Sequence, residues 1–160
     1  MSKSKKLGGL ERFRQWQDTQ GHTFEVVMLD EAANTAKLAA DALGCNVAQI
    51  AKSLIFRCVQ TDSALLVITS GANRVDEAVV ARHVGEELAR VDAAFVREQT
   101  GYAIGGVPPF AHKGKMRSLV DETLMQFEHI WAAAGHPKSI FCIAPQKLLD
   151  ICAGERITVS

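Results

Sequence analysis

The least ordinary run in this 160-residue sequence is GYAIGGVPPFAH, residues 101–112. Gly105 and Gly106 allow positive φ and let another molecule approach the main chain closely, while Pro108 and Pro109 lock φ and remove two N–H groups. A plain turn needs no more than this. The same pattern could also present the N–H groups of Gly106 and Val107 to an anion or a polarised carbonyl. Lys52 opens the apolar run SLIFRCV. There it could snorkel to solvent, or point into a cleft as a compact charge suited to a phosphate or a substrate oxygen. His112 closes the Gly-Pro segment, open to either a surface or a site role. His22, His83, His129 and His136 have no metal-ligand spacing and read as structural or surface residues. Ser53 and Ser70 lack His and Asp neighbours, and no GxSxG, HExxH, Walker or GxGxxG pattern is present. A hydrolase built from this chain would work without an obvious protein nucleophile.

Such residues need elements to hold them, and hydrophobic periodicity indicates which. Gly8–Gly9 separates a basic N-terminus from LERFRQWQDTQG, where Leu10, Phe13 and Trp16 fall near helical spacing before the breaker Gly21. HTFEVVML reads as a strand, and TAKLAADALG as a helix capped by Asn34 or Thr35 and stopped at Gly44. VAQIA forms a helical turn. KSLIFRCV and ALLVITS, joined by QTDS, form an antiparallel hairpin. Asp76 caps a helix carrying Val79, Val80 and His83, and VGEELARV and VDAAFVREQTG add short helical segments. KMRSLVDETLMQFEHIWAAAG reads as two short strands around an acidic turn at Asp121–Glu122. SIFCIA is a strand, PQKLLDICAG a helix with Pro145 near its first position and Gly154 at its close, and RITVS a terminal strand. No repeat or second domain is visible. The expectation is one mixed α/β (α+β) domain over 10–160, behind a basic, flexible tail at 1–9.

Composition narrows the function classes. Hydrophobic residues make up 48% and charged residues 22%, the globular range. No apolar run approaches the roughly 20 residues that span a bilayer, and the basic N-terminus is followed by no apolar segment of a secretory signal, so a cytoplasmic location is expected. Cys45, Cys58, Cys142 and Cys152 show neither CxxC nor Cys/His spacing and read as buried, reduced thiols. The 18 basic and 18 acidic residues balance, but five of the former (Lys3, Lys5, Lys6, Arg12, Arg14) and one of the latter (Glu11) lie within 1–16, leaving 13 against 17 elsewhere. A broad positive face for nucleic acid is therefore excluded; any contact with RNA runs through local basic spots and a specific pocket.

Four blocks carry a resemblance: AKSLIF around Lys52, TSGANRVDEAVV at 69–80, DAAFVREQTGYAIGGVPPFAH at 92–112, and IWAAAGHPKSIFCIAPQKLLDI. In register from about residue 23 to the end, they resemble the YbaK/EbsC proteins, which are similar to the insertion (editing) domain of bacterial prolyl-tRNA synthetases and its free-standing relatives. The resemblance implies a mostly antiparallel, partly closed, barrel-like sheet with surrounding helices. It also implies trans-editing, the hydrolysis of the ester joining a wrong amino acid to the 3′-terminal adenosine of tRNA. The family lysine falls on Lys52, its G-x-x-x-P loop on Gly105–Pro109, and the histidine of its Gly-His step on His112, with Ala111 in place of the glycine. The acidic position after the loop falls on Asp121. The implied catalytic set is Lys52, Gly105, Gly106, Val107 and His112, with substrate contacts from Pro108, Pro109, Ser70, Gly71 and Asp121. Aminoacyl-tRNA is the implied partner, together with a synthetase; no cofactor, metal or membrane is implied.

The resemblance also accounts for the missing nucleophile. An aminoacyl ester is already activated, and the ribose 2′-OH beside it can help position water, so the protein need mainly orient the ester and stabilise its oxyanion. Editing pockets discriminate by size, because one methylene is worth only about 1–3 kcal/mol. Phe24, Val26, Met28, Ile50 and Phe56 are the candidate walls. The alternative is a non-catalytic tRNA- or nucleotide-binding module that uses the same cleft.

Overall fold

The computed structural model describes residues 8–32 and 35–160. Lys3, Lys5 and Lys6 of the expected tail, and Asn34, one of the two candidate caps, lie outside the described residues. The chain runs α1 (Gly9–Gln20), β1 (Val26–Met28), α2 (Ala36–Leu43), β2 (Ile50–Cys58), β3 (Ser63–Ser70), α3 (Glu77–Val84) and β4 (Leu88–Ala89). It continues through α4 (Ala93–Thr100), β5 (Arg117–Asp121), β6 (Ile130–Ala133), β7 (Ser139–Ile143), α5 (Pro145–Cys152) and β8 (Glu155–Ile157), with 3₁₀ turns at Val47–Gln49 and Glu122–Gln126. Gly9, counted above with the tail, is the first residue of α1.

The predicted hairpin of β2 and β3 is the centre of the sheet, in register from Ala51↔Ser70 to Cys58↔Ser63. β3 is flanked by β2 and, in parallel, by β5, so Ala64 through Ser70 are buried on both faces. That explains why ALLVITS is apolar throughout rather than alternating. The strand order is β1-β7-β6-β2-β3-β5-β8, with β4 beside β2. Among the described residues four pairings are antiparallel and three parallel, so the antiparallel share predominates only narrowly.

Successive β3 side chains enter different cores, as the two-residue pleat requires. Leu66 and Ile68 join Phe13, Phe110, Phe141 and Leu148 on one side, and Leu65 and Val67 join Phe56, Val80 and Ile157 on the other. Thr35 caps α2 by accepting from the Leu38 N–H, and Asp76 and Asp92 cap α3 and α4 in the same way.

Two local expectations are corrected. VGEELARV is not helical: α3 stops at Gly85 (φ 76°), the Val59 N–H bonds to Glu87 O at 2.9 Å, and Leu88–Ala89 pair with Cys58 and Arg57 as β4. Tertiary pairing overrides a weak local helical preference here. α5 closes one residue early, at Ala153 in the left-handed region (φ 50°). Gly154 serves packing instead, since a Cβ there would stand 2.8 Å from Val120 Cγ2.

Candidate active site

Lys52 owes its position to the changing cover over one face of β2. Ile50, Lys52, Leu54 and Phe56 share that face. Ile50 packs beneath α2 with Ala36, Ala39 and Ala40, whereas Phe56 packs beneath α3 with Val80. Lys52 falls in the interval between the two apolar clusters and is exposed, directly opposite Thr69 of β3. Along its other edge β2 pairs with β6 only at Ile50–Ala51 and with β4 only at Arg57–Cys58. Among the described residues no strand pairs with that edge between them.

The Gly-Pro segment lies against this gap. Ile104, Gly105 and Val107 line a cavity of about 240 Å³ together with Lys52, Ser53 and Leu54 of β2. Its other walls come from α2 (Ala36, Ala39), β6 (Trp131, Ala132, Ala133), Pro137 and Ile140. Lys52 also lines a second cavity of about 440 Å³ with Thr69, Asn73, Arg74 and Arg90. One lysine thus stands between a mainly apolar pocket and one of mixed polar and apolar lining.

Each feature of the loop has a physical reason. Gly105 has φ 91°, a conformation that a Cβ disfavours. At Gly106 a Cβ would sit 3.0 Å from Gly135 C and His136 N, so the loop can rest on that turn only without a side chain. The Gly106 N–H donates to Ala103 O at 3.0 Å and is unavailable to a ligand. Among the described residues the Gly105 and Val107 N–H groups have no acceptor. The available backbone donors are therefore Gly105 and Val107, not the expected pair Gly106 and Val107.

His112 lies behind the loop and outside both cavity linings. Its Nε2 is 2.6 Å from Pro108 O. A carbonyl can only accept, so Nε2 carries a proton and donates to Pro108 O. Burial lowers the His112 pKa from 6.5, with the Pro108 hydrogen bond opposing. Tyr102 Oη donates to Ala111 O at 2.8 Å, and the Lys113 N–H bonds to Thr100 O at 2.9 Å, closing the base of the loop. Ala111 stands at φ 70°, the left-handed region, where glycine is the unstrained residue.

The remaining expected contacts are placed as framework. Pro108 and Pro109 are buried beneath the loop. Ser70 is fully buried, with Oγ donating to Ala48 O at 2.7 Å. A Cβ on Gly71 would meet Ala36 Cβ and Val47 O at 2.6 Å, so this glycine lets α2 pack closely. Asp121 is buried and satisfied: Oδ2 accepts from Thr69 Oγ1, the Ser70 N–H and Asn73 Nδ2, and Oδ1 accepts from the Thr123 N–H. It acts on the second cavity through Thr69 and Asn73. Of the proposed side-chain walls, Ile50 lines the first cavity and Phe56 the second. Phe24 and Val26 pack with the core that contains Phe13 and Phe141, and Met28 is exposed on a different surface.

Pattern reading missed Arg74, Arg90, Trp131, Pro137 and the alanines of α2 and β6. Only the i,i+3 spacing of Ala36 and Ala39 hinted at a small-residue face. The thiols are free, and Cys58 alone is buried; Cys45, Cys142 and Cys152 are partly exposed, a correction to the expectation of four buried thiols. Among the described residues no helix is long and apolar enough to cross a membrane.

The family model described as aminoacyl-tRNA editing domain matches residues 30–151, which include Lys52 and the whole Gly-Pro loop. The uncharacterized protein YwhH of Bacillus subtilis (strain 168) is 29% identical over 138 residues, covering 86% of this chain and 85% of YwhH. A crystal structure described as that of a proposed trans-editing enzyme for prolyl-tRNA synthetase superposes with TM-score 0.89 at 36% identity, over 99% of both chains. The hypothetical protein APE2540, at 24% identity and TM-score 0.84 over 93% of this chain and 99% of its own, shares the fold.

Proposed function

Because the chain belongs to the family of aminoacyl-tRNA editing domains, we propose that it is a trans-editing deacylase that hydrolyses the ester of a small, wrongly attached amino acid on tRNA. The observation that carries this reading is the meeting of Lys52, Gly105 and Val107 in one apolar-walled cavity of about 240 Å³. The amino-acid side chain occupies the pocket walled by Ala36, Ala39, Trp131 and Ala132. The ester carbonyl faces the loop.

Water adds to the ester carbonyl carbon, and the N–H groups of Gly105 and Val107 stabilise the oxyanion. Collapse breaks the bond to the ribose oxygen, which takes up the proton given up by the added water, releasing the free amino acid and a tRNA with its 3′-terminal hydroxyl restored. The ribose 2′-OH positions the water. Lys52 holds the charge at the junction of ester and nucleotide. One oxyanion donor is worth roughly 100–1,000-fold in rate, enough for an activated ester without a protein nucleophile. His112 acts through Pro108, holding the loop rather than moving a proton. tRNAPro is the substrate we favour, supported by the likeness to the proposed prolyl trans-editing enzyme. The cytoplasm, where tRNA is charged, is the expected location, with a synthetase as the expected partner.

The test is a panel of mischarged tRNAs, with tRNAPro carrying Ala, Cys or Ser at its centre. Hydrolysis of at least one is expected. Folded protein that deacylates none of them overturns the reading, and tight binding of uncharged tRNA in that case favours the non-catalytic module.

A further inference from the structure

Among the described residues one buried side-chain nitrogen has no hydrogen-bond partner, Nε of Arg12 on α1. A buried donor of a charged group is costly to leave unmade, so its occurrence here calls for a physical reason. Arg12 is held in place. A Cβ on Gly101 would stand 3.1 Å from Arg12 Nε and 3.2 Å from its Cζ, so the guanidinium rests on a backbone that only glycine leaves open. Its Cζ is 6.0 Å from the centroid of the Tyr102 ring. The same Cβ would stand 3.4 Å from Cβ of Lys113, whose N–H is bonded to Thr100 O at 2.9 Å. Arg12 and Lys113 therefore meet over Gly101, where the two ends of the Gly-Pro loop come together.

Neither cation has a carboxylate within ion-pair distance among the described residues. Glu11, next to Arg12 in the chain, turns toward the start of α1, where a Cβ on Gly8 would stand 3.5 Å from its Oε1. α4 ends at Gly101, and a helix C-terminus attracts positive charge. Arg97, in the last turn of α4, already meets that need. The helix end thus explains one cation, not a further pair, and among the described residues it gives Nε no acceptor. The pair fits an anion: a guanidinium takes phosphate oxygens through its fork of N–H donors, and an ammonium adds a point charge. Neither side chain lines the cavities beside Lys52, and Lys113 is exposed. An open clamp without enclosing walls suits a single charge on a continuous backbone rather than a whole small molecule. Contacts of that kind fix the register of a nucleic acid without reading its sequence.

Resting on the deacylase reading, we propose that Arg12 and Lys113 clamp a phosphate of the tRNA backbone upstream of the terminal nucleotide. The tip of the loop offers the Gly105 and Val107 N–H groups to the ester, and its base holds the strand that carries the ester. Both side chains bind the substrate away from the reacting atoms.

The clamp is tested with Lys113→Gln, Arg12→Gln, the charge-conserving Arg12→Lys and, as a control of equal charge change on α3, Arg82→Gln. Denaturant melts check the fold of each. Lys113→Gln, at an exposed position, reads the site independently of any loss of packing around Arg12. Fluorescence anisotropy follows the binding of uncharged tRNAPro over a range of salt. Lys113→Gln and Arg12→Gln are each expected to weaken binding about fivefold at low salt, and together to flatten the slope of log K against log salt by roughly 0.7–0.9, one phosphate contact. Arg12→Lys is expected to keep the slope, and Arg82→Gln to behave as wild type. In turnover, kcat/KM for alanyl-tRNAPro is expected to fall about tenfold in the double variant, through KM, as for a lost phosphate contact. The minimal substrate 3′-O-alanyl-adenosine, which has no upstream phosphate, is expected to react at the wild-type rate. Wild-type affinity and slope in both single variants overturn the proposal, as does an equal weakening in Arg82→Gln. An equal loss on alanyl-adenosine also overturns it, by assigning the two residues to holding the loop alone. Binding is read on uncharged tRNA, so a protein that shows the expected affinities yet deacylates nothing counts against the deacylase reading alone.

Discussion

Lys52 is exposed, makes no ion pair among the described residues and borders both cavities, so its removal separates stability from function. Lys52→Ala is expected to shift unfolding free energy by no more than about 0.5 kcal/mol, as for an exposed side chain. Deacylation should fall roughly 10- to 100-fold if a charge-assisted contact of about 1.5–3 kcal/mol is lost. Parallel denaturant melts and kinetics check this, and unchanged turnover removes Lys52 from the site. Ala111 poses a different question. Its φ of 70° costs roughly 1–2 kcal/mol relative to glycine, but its methyl is buried in the core with Phe13 and Phe110. Lost methyl burial of about 0.8 kcal/mol and the greater chain entropy of glycine oppose the relief. Ala111→Gly is therefore expected to leave stability within about 1 kcal/mol of wild type.

The loop between α4 and β5 works as an element because its two ends and its back are fastened separately. Thr100, Tyr102 and His112 make those bonds, and Phe110 stacks against Phe13 and Trp16 of α1 with ring centroids 6.1 and 4.9 Å apart. Phe13→Ala is expected to cost about 3–5 kcal/mol, the range for a buried aromatic. It should slow deacylation too, by loosening the loop from behind. His112 adds a pH dependence. Its folded pKa lies below 6.5, so in the window beneath 6.5 the unfolded chain binds the proton first. Stability is then full above about pH 6.5 and falls with pH through that window. Replacing His112 with Gln should flatten this acid limb in urea melts at stepped pH; an unchanged limb would sink the assignment.

At the scale of the molecule, distant strands are joined by few polar contacts. Arg117 of β5 holds Glu155 of β8 through Nε at 2.6 Å and Nη2 at 3.0 Å, and His83 of α3 stands 3.3 Å from the same carboxylate. The Arg117 hydrogen bonds draw the Glu155 pKa down from 4.5 to about 2. Its stabilisation is present above pH 4.5 and lost as pH falls toward 2, below the His112 window. Nearly half exposed, this group contributes modestly and is screened by salt. Asp121 contrasts with it: buried, it joins β3, β5 and the 70–73 turn through four hydrogen bonds. Asp121→Ala strands those donors and is expected to cost about 2–4 kcal/mol, read as a fall in the denaturant midpoint.

Local patterning reached a good part of this arrangement. Thr35 and Asp76 announce helix starts, and Gly21 and Gly44 announce ends, because caps depend on a residue and its immediate neighbours. The β2–β3 hairpin and the strained Gly-Pro loop were legible for the same reason, and the block resemblance pointed to the editing family. Leu88–Ala89 carry a local helical pattern yet form a strand, because their partners, Arg57 and Cys58, lie some thirty residues away. The site divides along the same line. Lys52 and the loop stand out by residue type, but their meeting depends on the unpaired edge of β2, which only the strand order creates. Spacing could not tell that the Gly106 N–H is spent on Ala103 O, that His112 faces Pro108, or that Asp121 serves as framework. Side-chain identity states what a group is able to do. Its burial and its partners, settled by contacts distant in sequence, decide which of those capacities remain free for a ligand.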